Sequence, residues 1–297
     1  MREICFQKEM RDREAAAEPR AQDTEIDYTI EAIEAEEATE FIKRYEWLGT
    51  PGHPIARYGA RNWLGELAAV ALFGKPSLQS SLLCRKLEYT LTRCTPRLDT
   101  PLIGPNRAIA LSDEDAAYID KVACLERGAC AHWAHPHTGS WFIPRVLEQA
   151  HKDKGWEIFH AYSDVSAGEI GTIYQACNWL YIGQGSGRKK KGGAERERWT
   201  FMHPEYTKGV FVTSRRVYGD RGWFKKLGPD YWGRDQNEKP LSPLNQARAG
   251  HDGWEVKEPP AKHRYVQFVG NEGTRRKWRK ALRTKPLPYP KRPLTGL

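Results

Sequence analysis

The sequence predicts an α/β fold, a mixed sheet flanked by helices, with a basic C-terminal extension. Three observations lead there. Short apolar runs of strand length alternate with runs of helical spacing, the order of a layered α/β domain. Hydrophobic residues make up 39% of the 297 residues, enough for one sizeable core. The net charge of +9 is unevenly divided: Gln184 to Leu297 holds 27 Lys and Arg against 11 Asp and Glu, a net +16, and the remainder carries −7. A basic third joined to an acidic two-thirds points to a polyanion-binding appendage.

The elements follow in order. Residues 1–24 are charged and Ala-rich, an N-terminal segment without an assigned function. The core is expected over 25–183. Ile26 to Ile33 alternates as a first strand. Glu36 to Leu48 carries Ala38, Phe41, Ile42 and Tyr45 at helical spacing and stops at Gly49, with Pro51 beyond. Ala56–Arg61 and Glu66–Phe73 read as a hairpin turning at Asn62 to Gly65. Residues 76–105 are polar and irregular, an insertion. Ile119 to Leu125 is a strand, and the His- and Gly-rich stretch to Ser140 is a loop. A helix spans about Trp141 to Lys152, with Pro144 in its first turn, since deeper inside it costs ~3 kcal/mol. Glu157–Tyr162 is a strand, Glu169–Asn178 a helix and Trp179–Ile182 a short strand. The extension, 184–297, is the polyanion-binding part.

The composition excludes some classes. No apolar run reaches 18 residues, so no membrane span is expected. The charged N-terminus lacks a secretory h-region, so a cytoplasmic protein is expected. Six Cys without a CxxC pair read as buried or free thiols.

Asp164 follows a strand, where α/β sheets bind their ligands. A carboxylate there orients an amine, acts as a base or ligates a metal, or else closes an N-cap or Asx turn. Tyr174 lies on the next predicted helix, and Asn178 ends it, placed to hydrogen-bond a base. His132, His135 and His137 crowd one loop; they bind a transition metal, contact phosphate or solvate the loop. Ser140 opens a helix whose free N–H groups suit an anion. Arg188, Lys189 and Lys190 lie in a Gly-rich basic loop. Arg215, Arg216, Arg221, Lys225 and Lys226, like the later run 275–280, are interleaved with Tyr, Trp and Phe. Cations hold a nucleic-acid backbone, and rings stack on an unstacked base.

Phe41–Thr50 (FIKRYEWLGT), Ala161–Gly183, the Val217-Tyr-Gly step, Lys262-His-Arg-Tyr-Val and Pro288-Tyr-Pro-Lys-Arg together resemble the phage Mom type of adenine-modification proteins. The resemblance runs loosely from Thr24 to Arg292, and its central block is the specific part. It implies a GCN5-related acyltransferase-like fold, with which the element order agrees except for one early helix. It implies conversion of adenine in double-stranded DNA to an N6-carbamoylmethyl-type adenine, protecting bacteriophage DNA from restriction in the bacterial cytoplasm. It also implies a departure from ordinary acyl-CoA chemistry, with an iron ion. The absence of a Gln/Arg-x-x-Gly-x-Gly/Ala loop before Ser140 agrees with that departure.

Carried over, Asp164 and Tyr174 become the active-site carboxylate and phenol, joined by Glu46 and Tyr45. Where the family often has His-Tyr, this chain reads Tyr45-Glu46-Trp47, so Glu46 or a loop histidine takes the vacant ligand position. The expected metal ligands are Asp164, His132 and His135. The target base is expected to be flipped out, because its N6 edge is paired inside the duplex. The rival readings are an acetyl-CoA-dependent N-acetyltransferase acting on a modified base, a small amine or a protein, and a non-catalytic DNA-binding protein.

Overall fold

The computed structural model describes residues 5–75, 119–185, 199–207, 209, 211–213, 217–218, 222–239, 241–258, 261–282 and 284–291. Its strands are β1 (Thr29–Ala32), β2 (Ala56–Arg61), β3 (Leu67–Gly74), β4 (Val122–Cys130), β5 (Ile158–Ser163), β6 (Leu180–Gln184), β7 (Thr200–Met202), β8 (Val212–Thr213), β9 (Glu255–Lys257) and β10 (His263–Phe268). Its α-helices are α1 (Phe6–Ala17), α2 (Ala35–Tyr45), α3 (Thr138–Lys154), α4 (Thr172–Ala176), α5 (Trp223–Trp232), α6 (Pro243–Arg248) and α7 (Glu272–Ala281). They fall into two units, residues 1–185 with 262–297, and residues 186–261.

The first unit is built on a seven-stranded sheet in the order β1-β2-β3-β4-β5-β10-β6. Its pairings are antiparallel except β4 with β5. This is the expected mixed sheet flanked by helices. Period-2 alternation splits each inner strand between two faces. Phe159 and Ala161 of β5 and Tyr265 of β10 join the larger core with Phe41 and Ile42 of α2 and Phe142, Val146 and Leu147 of α3. Ile158, Val266 and Phe268 point the other way and pack with Val122, Ile182 and Trp278 of α7.

The hairpin turn forms as the sequence predicts. The Asn62 side-chain oxygen accepts from the Leu64 and Glu66 N–H groups at 3.0 and 2.9 Å. The N-terminal segment is a helix, α1, pinned to α2 by Arg44 pairing with Glu14 and Glu18. Its Gln7 amide donates to the Tyr45 carbonyl at 2.5 Å and accepts the Trp47 N–H at 3.2 Å, bracing the end of α2.

Three expectations are corrected. α3 starts at Thr138, so Pro144 is its seventh residue and lies beyond the first turn. The missing proline N–H deprives the Ser140 carbonyl of its helical partner, and the Cys177 thiol donates there at 3.7 Å. The predicted helix 169–178 shrinks to α4, because Gly171 sits at φ +69 and cannot continue a right-handed helix. The supposed extension from 184 divides. Residues 262–291 return to the first unit, where β10 inserts between β5 and β6 and α7 covers the second face.

The second unit has its own three-stranded sheet, β8-β7-β9, around a core of Phe201, Val217, Trp232, Leu244, Ala247 and Trp254. Tyr218, Trp223 and Phe224 pack against that core. These rings, read from sequence as stacking platforms for bases, are half-buried and also serve that core: a unit this small needs large aromatic area to bury. The predicted insertion at 76–105 lies outside the described residues. Among the described residues no helix is long and apolar enough to cross a membrane.

Candidate active site

β4 and β5 pair only over Val122–Leu125 and Ile158–Ala161. Beyond these positions β4 stays with β3 up to Cys130, and β5 stays with β10 up to Ser163. The carboxyl ends of the one parallel pair therefore part, and α/β sheets bind ligands at such ends. Charged residues from four parts of the chain collect there.

Asp164 is the first residue after β5. Its Oδ2 meets Lys262 Nζ at 3.0 Å, just before β10 begins. Its backbone also closes a turn: the carbonyl accepts from Ala167 and Glu169 N–H groups, and its own N–H donates to Glu169 Oε2 at 3.0 Å. The turn thus runs through the Asp164 backbone, and its carboxylate pairs with Lys262.

Glu169 Oε1 accepts the Trp47 indole N–H at 3.0 Å. Each oxygen of this carboxylate is thus held by one donor. Burial raises its pKa, and the Asp164 charge adds to that rise. The bonds from Asp164 N–H and Trp47 and the Lys262 charge oppose it.

Glu46 caps the end of α2. Its Oε2 accepts from Leu48 and Gly49 N–H groups at 2.9 and 3.0 Å, and the side chain is buried. Burial raises the Glu46 pKa, the nearby Arg127 and the two N–H groups moderate the rise, and the Glu169 charge increases it. Arg127 donates through Nε to the Thr50 carbonyl at 2.8 Å, tying β4 to the loop that follows Glu46.

Tyr174 packs between Trp179 and Tyr265, with ring centroids 5.2 and 5.1 Å away. Burial raises its pKa first, then the charges of Glu169, Cys124, Tyr265 and Glu46. It is held as a neutral phenol, a hydrogen-bond donor.

The structure therefore gathers Asp164, Tyr174 and Glu46 from the sequence expectations. Tyr45 does not join them: it is buried on the core side of α2, against Phe41 at 4.6 Å and His132 at 6.0 Å. Ser140 turns its hydroxyl onto the His137 carbonyl at 3.0 Å. Asn178 is exposed, in a left-handed conformation with φ 56, at the end of α4. Lys225 and Lys226 are exposed on α5 of the second unit. Arg188, Lys189, Lys190, Arg215, Arg216 and Arg221 lie outside the described residues.

The expected iron ligands do not form a set. His132 Nε2 bonds the Glu18 carbonyl at 2.9 Å, His135 Nδ1 accepts the His137 N–H at 3.1 Å, and Asp164 is paired with Lys262. Among the described residues no three His, Cys, Asp or Glu side chains converge as a metal site.

Sequence reasoning missed Glu169, Trp47 and Lys262. The sequence pattern places Glu169 as the first residue of a helix. The glycines at 168 and 171, both at positive φ, were the available signal that it stands in a tight loop instead.

The raised Glu46 pKa has a consequence for stability. The folded protein binds that proton more tightly than the unfolded chain. This contribution is fully present below the ordinary carboxyl value of 4.5 and is lost as pH rises through the higher folded value. Glu46→Gln keeps an oxygen for Leu48 and Gly49 and removes the buried charge. The variant is expected to melt at or above the wild-type temperature at pH 8, with the advantage gone at pH 4. A variant that melts several degrees lower at pH 8 would contradict the burial argument.

The sheet defines the chain as an α/β protein with an acid cluster at the parted ends of its one parallel strand pair. The chain belongs to the Mom protein family, which matches it over residues 120–291. Curated proteins give no significant match. Among solved structures, a protein described as a phosphinothricin N-acetyltransferase is 14% identical over 56% of this chain and 91% of its own, with a TM-score of 0.31. An IAA acetyltransferase from Bacillus cereus ATCC 14579 is 11% identical over 82% and 99%, with a TM-score of 0.34. An agmatine N-acetyltransferase variant in its apo form is 9% identical over 82% and 100%, with a TM-score of 0.32.

Proposed function

We propose that this protein is a DNA base-modifying transferase that converts adenine to an N6-carbamoylmethyl-type adenine and so protects phage DNA from restriction in the bacterial cytoplasm. The observation that carries this reading is the acid cluster at the parted ends of β4 and β5, buried Glu46 with half-buried Asp164 and Glu169, in a chain of the Mom family.

An exocyclic amine is a poor nucleophile, and its attack on an electrophilic carbon requires an acceptor for the proton it sheds. In the proposed step the N6–C bond forms, the amine proton passes to the Glu169 carboxylate, and the donor's leaving group departs with its bonding electrons. A base raised toward neutral pH suits that transfer. Asp164 and Lys262 fix the turn that aims Glu169, and the neutral Tyr174 phenol donates a hydrogen bond to the base or the incoming group. The target adenine is flipped out of the duplex to reach these groups. No step is routed through iron, since the described residues offer it no ligand set. Acetyl-CoA is the rival donor; saturable acetyl transfer with a purified duplex would replace the carbamoylmethyl reading.

The test is a nucleoside digest of DNA from cells expressing the chain. A new adenosine-derived species is expected with wild type and is expected to vanish with Asp164→Ala. Unmodified adenosine throughout, with DNA binding retained, would mean that the protein merely occludes nucleases.

A further inference from the structure

Most of the positive charge does not lie in the second unit. Residues 262–297 contain 11 Lys and Arg and one Glu, so they carry +10 of the +16 beyond residue 184. That segment belongs to the unit with the acid cluster. Its densest part is α7, where Arg275, Arg276, Lys277, Arg279 and Lys280 are all exposed around the buried Trp278.

Trp278 fixes the helix. It packs with Val122, Ile158, Val266 and Phe268, and its indole N–H donates to Glu157 Oε2 at 2.7 Å. The outward face is then committed to cations. Arg275 and Arg279 are four apart, as are Arg276 and Lys280. Like charges at that spacing each destabilise a helix by roughly 0.2–0.5 kcal/mol. Glu272 at the first turn is the only acid on the helix. Arg275, Arg276, Arg279 and Lys280, together with Glu272, line an open depression of about 500 Å³, and the four cations form no ion pair among the described residues. A fold that retains such repulsion on an anchored helix fits a polyanion there.

We propose that α7 is a phosphate-gripping ridge for duplex DNA, carried by the same unit as the candidate active site; this rests on the DNA reading above. A ten-residue helix is about 15 Å long. A duplex carries one charge per ~1.7 Å of axis, so such a helix faces roughly nine phosphate charges. An anionic membrane fits less well, because a surface-lying helix needs an exposed apolar face and the one large apolar side chain of α7 is buried against the sheet. Glu157, which holds Trp278, precedes β5, and Asp164 follows it. Seven strand residues span roughly 23 Å, about seven base-pair steps at 3.4 Å. The ridge therefore grips the backbone well away from the modified base.

The experiment is a salt titration of the full-length protein binding a 30-base-pair duplex. It compares wild type, the quadruple variant Arg275→Gln, Arg276→Gln, Arg279→Gln, Lys280→Gln, and a control, Lys8→Gln with Lys43→Gln, on α1 and α2. The slope of log K against log salt is expected to be shallower by 3 to 4 in the quadruple variant, at about 0.9 per lost phosphate contact. The control slope is expected to stay at the wild-type value. The quadruple variant is expected to melt no lower than wild type, since its changes are exposed and relieve repulsion. Duplexes ending fewer than about seven base pairs from the target are expected to lose the difference between wild type and quadruple variant. A quadruple variant with the wild-type slope overturns the proposal, as does helix-dependent binding to phosphatidylserine vesicles without binding to duplex. An unchanged slope alongside intact adenine modification sinks the ridge alone; a wild type that neither binds nor modifies DNA sinks both readings.

Discussion

Glu169→Gln is expected to lower adenine modification by about 10²–10⁴-fold, the usual contribution of a positioned general base. The glutamine is nearly isosteric and keeps one oxygen for either the Trp47 indole or the Asp164 N–H. It has no carboxylate to take the amine proton. The change lies at the parted end of β5, away from α7, so duplex affinity is expected to hold while turnover collapses. The pH profile gives a second readout. Burial raises the Glu169 pKa, and the Trp47 bond lowers it. Activity is expected to rise with pH through a value above the ordinary carboxyl range. Trp47→Phe removes one stabilising donor, so its profile is expected to move to higher pH with a smaller loss of maximal rate. A purely structural role for Glu169 would lower the yield of folded protein and leave the profile unmoved. Wild-type turnover in Glu169→Gln would return the base to Asp164, and that carboxylate would then have to leave Lys262 to act.

The sequence made some of this site legible, and the physics explains which part. Asp164 was found because strand ends are where α/β sheets bind, and Glu46 only through the family resemblance, where Tyr45-Glu46 stands in place of His-Tyr. Tyr45 shows the limit of analogy: it lies four residues after Phe41 on the apolar stripe of α2, and that spacing alone places it in the core. Glu169 was hidden by a false period. Ile170, Ile173, Tyr174 and Cys177 fit a helical stripe, yet Gly171 at φ +69 breaks it before Thr172. β10 was hidden for the opposite reason. Its Tyr265, Val266 and Phe268 serve both faces of a sheet covered on each side, so no simple alternation remains between His263, Arg264 and Gln267. The basic tail was read by charge, which reports on solvent and partners and says nothing about which strand a segment joins.

Gly171→Ala is expected to be the most damaging single-methyl change to stability in the central block, with a cost of about 2–5 kcal/mol. Two effects add. A residue with a side chain at left-handed φ costs roughly 1–2 kcal/mol. The added carbon would also stand 2.4 Å from Tyr265 Cε2 and 2.8 Å from its hydroxyl, and overpacking costs typically 1–3 kcal/mol. Tyr265 has little room to yield: its hydroxyl donates to the Ile170 carbonyl at 2.5 Å, and its ring packs against Tyr174 and Tyr181. Gly65 provides the comparison. It also has positive φ, +81, in the β2–β3 turn, but nothing lies within 4 Å of the position its side chain would take. Gly65→Ala should therefore show the backbone cost alone, and the difference between the two variants in chemical denaturation measures the Tyr265 contact. Equal losses would mean that Tyr265 does not press on the turn. A larger loss at Gly171, with falling modification in the fraction that remains folded, would tie the glycine to the aiming of Glu169. The same turn that forbids a side chain at 171 presents the Glu169 carboxylate to Trp47 and Asp164.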